Sequence, residues 1–596
     1  MKTRIISFLF LLIPLFCLDS CKESYVYAPA PMPLQTRWAQ DVTPGNAWPD
    51  YPRPQMERAE WLNLNGLWDF EISKKDDEET LFTRRILVPY PVESGLSGIG
   101  QMVGADSIVW YKRTVRIPSS WKNKDILLHF EASDWYTRVW VNGKPVGEHK
   151  GGYDPFSFNI THEVIPGKKC EILVSVWDPS NDGPQPRGKQ VKEPKGIFYT
   201  PTSGIWQTVW MEPVDQTHLE DFRVITDIDR ALVRINPIIA GDTEGLEVEA
   251  TISGAGRDTI HEMISASGWS EIPVPDPHLW NPDDPFLYGL NLKLIRNGEI
   301  LDEVHSYFGM RKISLGKDDK GFTRLMLNNE FVFQNGPLDQ GFWPDGIYTP
   351  PTDEAMVYDL QAVKDMGFNM LRKHVKVENR RFYNWCDKMG ILVWQDMPST
   401  SGYVPPGKPD LDRPSEETQQ FEQELVQMIK TKFNHPSIIM WVPFNEGWGQ
   451  YNTAGIVDLV RSVDSTRLVN NTSGWQDRGV GDVIDLHHYP DPICPELEEN
   501  RANVLGEFGG LGLYVEGHTW QEENWGYKKM GTKEDLLEQY RDFYDRIREM
   551  KDACGLSASI YTQITDVETE TNGLMTYDRK VDKIGRSGLR KINRIR

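Results

Sequence analysis

The sequence predicts a multidomain fold: an N-terminal jelly-roll-like β-sandwich, an immunoglobulin-like β-sandwich, and a C-terminal (β/α)₈ TIM barrel. Three observations predict it. From Trp61 to about Trp210, short runs alternate apolar and polar residues between turns, with no helical period. Residues 214–314 repeat this texture in a unit near the ~100 residues of an immunoglobulin-type sandwich. Beyond Phe331, apolar strands alternate with amphipathic helices, the mark of parallel β/α units.

The elements follow in order. Lys2 and Arg4 precede an apolar run, Ile5 to Phe16, and then Leu18-Asp19-Ser20-Cys21. That series resembles the lipobox of bacterial lipoproteins, so residues 1–20 are expected as a signal peptide and Cys21 as the lipidated residue, with an ordinary secretory peptide as the alternative. Lipid chains at Cys21 would hold the protein to a membrane surface, on the periplasmic side or at the outer face of the cell. Residues 21–45, rich in Pro, Ala and Thr, read as a tether.

The first sandwich takes 46–213, with strand-like runs at Ile126–Phe130, Arg138–Val141 and Ile172–Trp177 and a hairpin signal at Asn142-Gly143. The second takes 214–314, where Leu246–Ala250 and Tyr288–Leu294 alternate and Pro282 and Pro285 mark a loop. The barrel takes 315–596. Its eight expected strands are Phe331–Asn335, Phe368–Lys373, Ile391–Gln395, Ile438–Phe444, Arg467–Asn471, Val483–His487, Asn503–Gly506 and Ala558–Gln563. Helices are expected at 353–366, 416–433, 453–463 and 533–552.

Composition narrows the chemistry. A formal net charge of −22 without a Lys/Arg stripe excludes nucleic acid as a partner. The 21 tryptophans include flat rings of the kind that stack on sugars, although large sandwiches also bury many indoles. Cys170, Cys386, Cys494 and Cys554 show no C-x-x-C spacing; they read as buried small hydrophobes, neither a disulfide framework nor a zinc site. No His-x-x-x-His or Asp-x-Asp-x-Asp spacing marks a metal, and no Walker-type loop implies a nucleotide cofactor. After the leader, no run reaches the ~20 apolar residues of a spanning helix.

In such barrels, chemistry gathers at the C-terminal ends of strands. The fourth expected strand runs into Asn445-Glu446-Gly447-Trp448 and the seventh into Glu507-Phe508-Gly509-Gly510, so each delivers one carboxylate to that face. Two carboxyl groups flanking one bond are the equipment of glycoside hydrolysis.

Here the chain resembles glycoside hydrolase family 2, which includes β-galactosidases, β-glucuronidases and β-mannosidases, over essentially its mature length. Trp61–Trp68, Trp140–Gly143, Gly151–Phe156 and Ser203–Gln207 are similar to its sugar-binding domain, and Phe308–Arg311 to the end of its immunoglobulin-like domain. Gly367–His374, Cys386–Gly390 and Asn434–Ser437 precede the Asn445-Glu446 pair in the family's order. The resemblance implies a retaining exo-β-glycosidase with Glu446 as acid/base and Glu507 as nucleophile. It implies that Asn445 bonds the sugar 2-hydroxyl and that Arg372 fixes a catalytic carboxylate. His374 is expected as a donor to substrate hydroxyls. Of His487, His488 and Tyr489, one is expected to touch Glu507 or the sugar, with His488 and Tyr489 as the candidates. Asp396, Asp339, Trp343 and Asp566 are further subsite candidates.

The segment at Glu570–Met575 lacks the Asn-x-Lys pair of β-glucuronidases and adds an acid, which disfavours a uronate and leaves a neutral, galactose-like sugar as the default. The segment 511–533 reads either as a lid or aglycone platform or as an ordinary surface loop. The partner is an oligosaccharide or polysaccharide. A rival reading makes the chain a non-catalytic carbohydrate-binding surface protein, which would not need both glutamates.

Overall fold

The computed structural model describes residues 26–75, 81–254 and 259–595. The apolar leader and Cys21 lie outside them. Among the described residues, no helix is long and apolar enough to cross a membrane.

The first sandwich pairs a six-stranded sheet, with strands in the order Arg84–Val88, Gly66–Lys74, Ser107–Arg116, Lys169–Trp177, Tyr136–Val141 and Lys144–Lys150, with a four-stranded one. Alternate residues such as Phe70, Tyr111, Val139 and Val174 fill the space between the sheets. The second sandwich sets three strands of 218–273 against four of 246–308 around Val233, Leu292 and Val304.

The barrel has eight parallel strands: Gln334–Asp339, Met370–Lys373, Leu392–Asp396, Ile438–Val442, Leu468–Val469, Val483–His488, Ala502–Gly509 and Leu556–Thr562. Neighbours form ladders all round except between the fifth and sixth, where the Asp482 amide donates to the Val469 carbonyl at 2.8 Å and Asn470 to Asp485 at 2.7 Å. The first strand starts later than expected because Phe331 pairs with Met326 in a small meander. Leu325 and Leu327 of that meander pack with Leu338, Met370, Trp394 and Ile560 and close the barrel floor. Helices at Asp353–Asp365, Ser415–Lys432, Thr453–Val463 and Lys533–Ala553 match the periodicity, and Arg380–Met389 and Arg586–Asn593 join them.

Two expectations are corrected. The presumed tether is packed over its described part. Tyr27 donates to the Leu96 carbonyl at 2.7 Å, Thr36 bonds Asp345, and Trp38 lies buried against Trp343 and Tyr358. Its Pro-rich composition reflects an extended path over the surface, not freedom.

Cys494 and Cys554 form a disulfide, a pairing that spacing alone does not reveal across 60 residues. It joins the segment after the sixth strand to the end of the helix before the eighth. Closing a loop of that length restricts the unfolded chain, so Cys554→Ser is expected to destabilise the barrel by about 2–4 kcal/mol. Differential scanning calorimetry should show a transition several degrees lower, and an unchanged transition would count against the bridge. Cys170 and Cys386 are buried and free, as expected.

Candidate active site

Strand alternation decides which side chains enter the barrel mouth. Met370 faces the barrel core, so Arg372, two residues on, does too; Val483 likewise puts Asp485 and His487 inward. His488 therefore points out. It is exposed and its ring donates to the Asp491 carbonyl at 2.6 Å, so it is not part of the cluster. Tyr489 turns back in.

Glu446 and Glu507 converge. A carboxylate oxygen of each and a ring nitrogen of His487 lie within 4.8 Å of one another. Glu507 accepts from Arg372 Nη1 at 3.1 Å and from the Tyr489 hydroxyl at 2.5 Å. Tyr489 also meets Thr562 Oγ1 at 2.8 Å and stacks on Tyr527, with ring centroids 3.7 Å apart.

Arg372 is fully buried and organises the floor of the site. It grips Asp396 through Nε and Nη2 and donates to Asn445 Oδ1 at 2.8 Å. Burial works against its charge, but Asp396 and Glu507 more than offset this and keep it protonated. Asn445 Nδ2 makes no hydrogen bond among the described residues, so it can serve a ligand.

Asp396 orients Arg372 and His374 from below the cluster. His374 Nδ1 lies 3.1 Å from its carboxylate. Burial holds His374 well below the usual imidazole range, so it is neutral, with Nδ1–H toward Asp396 and Nε2 as an acceptor.

Glu446 sits at the left-handed φ of +54°, uncommon for a residue with a side chain. Its amide donates to the Ser473 carbonyl at 2.8 Å, which fixes this conformation. The Glu446 carboxylate meets His487 Nδ1 at 2.8 Å. Burial pushes Glu446 upward, but His487, with Lys189 and Arg372, brings it below the ordinary carboxylate value. Burial pushes His487 down, yet Glu507 and Glu446 raise it. Ser473 Oγ contacts Asp485 at 2.5 Å and His487 Nε2 at 2.7 Å. His487 Nε2 thus faces Ser473 Oγ and, at 3.2 Å, the Arg372 Nη1, and the proton that the Glu446–His487 pair shares lies on its Nδ1 side. The aromatic residues that lead into Glu446 do not shelter it: Trp441 bonds Asp464 and Phe444 stacks on Phe421, both behind the strand.

Three other candidates fall outside the cluster. Leu338 is the inward residue of the first strand, so Asp339 faces the helices and pairs with Lys373 at 2.7 Å. Trp343 packs on Trp38 under Arg579. Asp566 is buried against Lys583 at 2.7 Å, where burial lifts its carboxyl to about 6.

Lys189 and Trp475 were not singled out from sequence. Lys189 arrives from the first sandwich, whose loop is pinned by the Arg187 and Gly188 amides on the Ser399 carbonyl. Its charge reaches Glu446, His374 and Glu570. Trp475, 44% exposed, is held by its indole N–H on the His487 carbonyl. From segment 511–533, Tyr527 stacks on Tyr489 and Trp525 bonds the Gly196 carbonyl, so this segment walls the mouth. Glu446, His487 and Glu507 are also spaced to hold a divalent ion, a set the spacing rules had not flagged.

Three consecutive segments match models of one family: residues 85–209 its sugar binding domain, 217–311 a second domain, and 351–583 its TIM barrel domain. The chain belongs to glycosyl hydrolase family 2. A β-galactosidase of Thermoanaerobacter pseudethanolicus is 30% identical over 356 residues, covering 57% of this chain and 45% of that protein. A β-glucuronidase of Bacteroides fragilis is 27% identical over 410 residues, covering 64% and 56%. A solved β-D-glucuronidase of Dictyoglomus thermophilum shares the fold, with a TM-score of 0.73 at 20% identity over 91% of this chain and 98% of that one. The chain spans less than half the length of the first curated family 2 relatives it matches.

Proposed function

We propose that this family 2 chain is a retaining exo-β-glycosidase acting on oligo- or polysaccharides. Glu507 attacks the anomeric carbon while Glu446 protonates the leaving oxygen; Glu446 then activates the water that releases the sugar. The observation that carries the reading is the approach of the two carboxylates to within 4.8 Å, close to the ~5–5.5 Å of retaining enzymes and short of the gap that inversion needs for a water. Exo action is supported by the walls that the Lys189 loop and the 511–533 segment raise around the mouth. Lipidation at Cys21 would place this activity at a membrane surface facing away from the cytoplasm.

The default sugar is neutral and galactose-like. A uronate is the second reading, favoured by Lys189, which makes no ion pair among the described residues. Glu570, the acid that argued against a uronate, is engaged by Tyr199 and Asn572, and burial raises it to about 7. Aryl β-galactoside, β-glucuronide, β-mannoside, β-galactofuranoside and α-L-arabinopyranoside, with product stereochemistry read by NMR, test both readings. An inverted product would reject the mechanism.

Lys189→Ala is expected to lower kcat/KM about 10–100-fold on a β-glucuronide, the worth of a charge-assisted contact, and to leave a β-galactoside nearly unaltered. Equal losses on both would assign Lys189 to the electrostatics of Glu446 instead.

A further inference from the structure

The six-stranded sheet of the first sandwich buries one face, and its other face should be polar. The register instead lines up aromatic rings there. Trp177 lies opposite Tyr136, Ser175 opposite both Trp110 and Arg138, and Leu173 opposite Trp140. Trp110 and Trp140 stack at 5.9 Å. The indole N–H of Trp177 is satisfied by the Ala105 carbonyl and that of Trp110 by Ser73, so neither needs a further partner.

The small side chain at Ser175 leaves a hollow of about 400 Å³. Trp135, Tyr136 and Trp177 wall it, with Arg138 and Lys150 beside them. That volume lies in the ~300–1,000 Å³ range of ligand sites.

The charge of the hollow is opposite to that of the chain. Arg138 and Lys150 make ring contacts with Tyr136, Trp140 and Trp135 but no ion pair among the described residues. Glu148, opposite Arg138, instead accepts the Tyr136 hydroxyl at 2.6 Å. On a chain of net charge −22, this is a local surplus of cations around aromatic faces.

We propose that this hollow is a second glycan site, separate from the barrel mouth, which holds a chain of an acidic polysaccharide. Pyranose rings present apolar C–H faces to the indoles and the phenol, and Arg138 and Lys150 take the carboxylate or sulfate groups. The site binds and does no chemistry. It keeps a polymer on the enzyme between cleavage events, whichever terminal sugar the barrel removes.

The test is affinity electrophoresis of the whole protein in native gels containing polygalacturonate, a sulfated polysaccharide or neutral galactan. Retardation by at least one acidic polymer is expected, with the two acidic arms telling carboxylate from sulfate. Arg138→Ala/Lys150→Ala should weaken it at least about five-fold, as loss of two partly exposed charge contacts would. Its hydrolysis of a small aryl glycoside should be unchanged, since neither residue lies at the mouth. Tyr136→Ala provides a second variant that leaves both cations in place and should also weaken retention. Absence of retardation by both acidic polymers, retention only by galactan, or full retention in both variants would overturn the proposal.

Discussion

Glu507→Ala is expected to lower kcat on the order of 10⁴-fold or more, as loss of a covalent nucleophile does elsewhere, while the protein stays folded. Arg372 keeps its two-pronged contact with Asp396 and its bond to Asn445, so the variant does not strand a buried cation. Tyr489 keeps Thr562. The space left by the carboxylate lies beside Arg372, so added azide should restore part of the turnover. Because azide attacks from the nucleophile's side and is not displaced, the product should be a glycosyl azide of inverted configuration. Turnover within tenfold of the parent would show that Glu507 is not the nucleophile. A parent protein silent on every glycoside but retaining a glycan would favour the binding-protein reading.

The architecture was largely legible because both signals behind it are periodic. Alternation marks the sandwiches, and the change to apolar strands separated by 3.6-period helices marks the barrel. The candidate acid/base and nucleophile were legible because each follows an apolar strand end in a known motif. The choice between His487 and His488 was not, because one residue of register exchanges the two faces of a strand. Asp339 was misplaced by the same parity, with Leu338 taking the inward position. Lys189 was hidden for another reason: it reaches the mouth on a loop from the first sandwich, and no local pattern predicts that approach, whereas the 511–533 segment that carries Tyr527 is marked by its place directly after Glu507. The Cys494–Cys554 bridge likewise depends on tertiary proximity.

The second large effect concerns the acid. Glu446→Gln should lower kcat/KM about 10²–10⁴-fold for a glycoside with a poor leaving group, the usual range for a lost general acid. It should have little effect on the same step for a dinitrophenyl glycoside, whose leaving group needs no proton. The pH profile then tests the partner. In the parent, the basic limb reports the last proton leaving the Glu446–His487 pair. Because Glu507 and Glu446 raise His487 against burial, that limb should lie above the ordinary imidazole value of about 6.5. In His487→Phe, Glu446 keeps the upward push of burial and the downward pull of Lys189 and Arg372 but loses its proton-sharing neighbour. Its basic limb should move to lower pH. At pH 7, activity on the poor leaving group should then fall about 10²-fold, with recovery under more acidic conditions. A structural role for His487 would instead reduce activity equally on both leaving groups and at every pH. An unmoved basic limb would mean that Glu446 holds its own proton, and that His487 only positions the carboxylate.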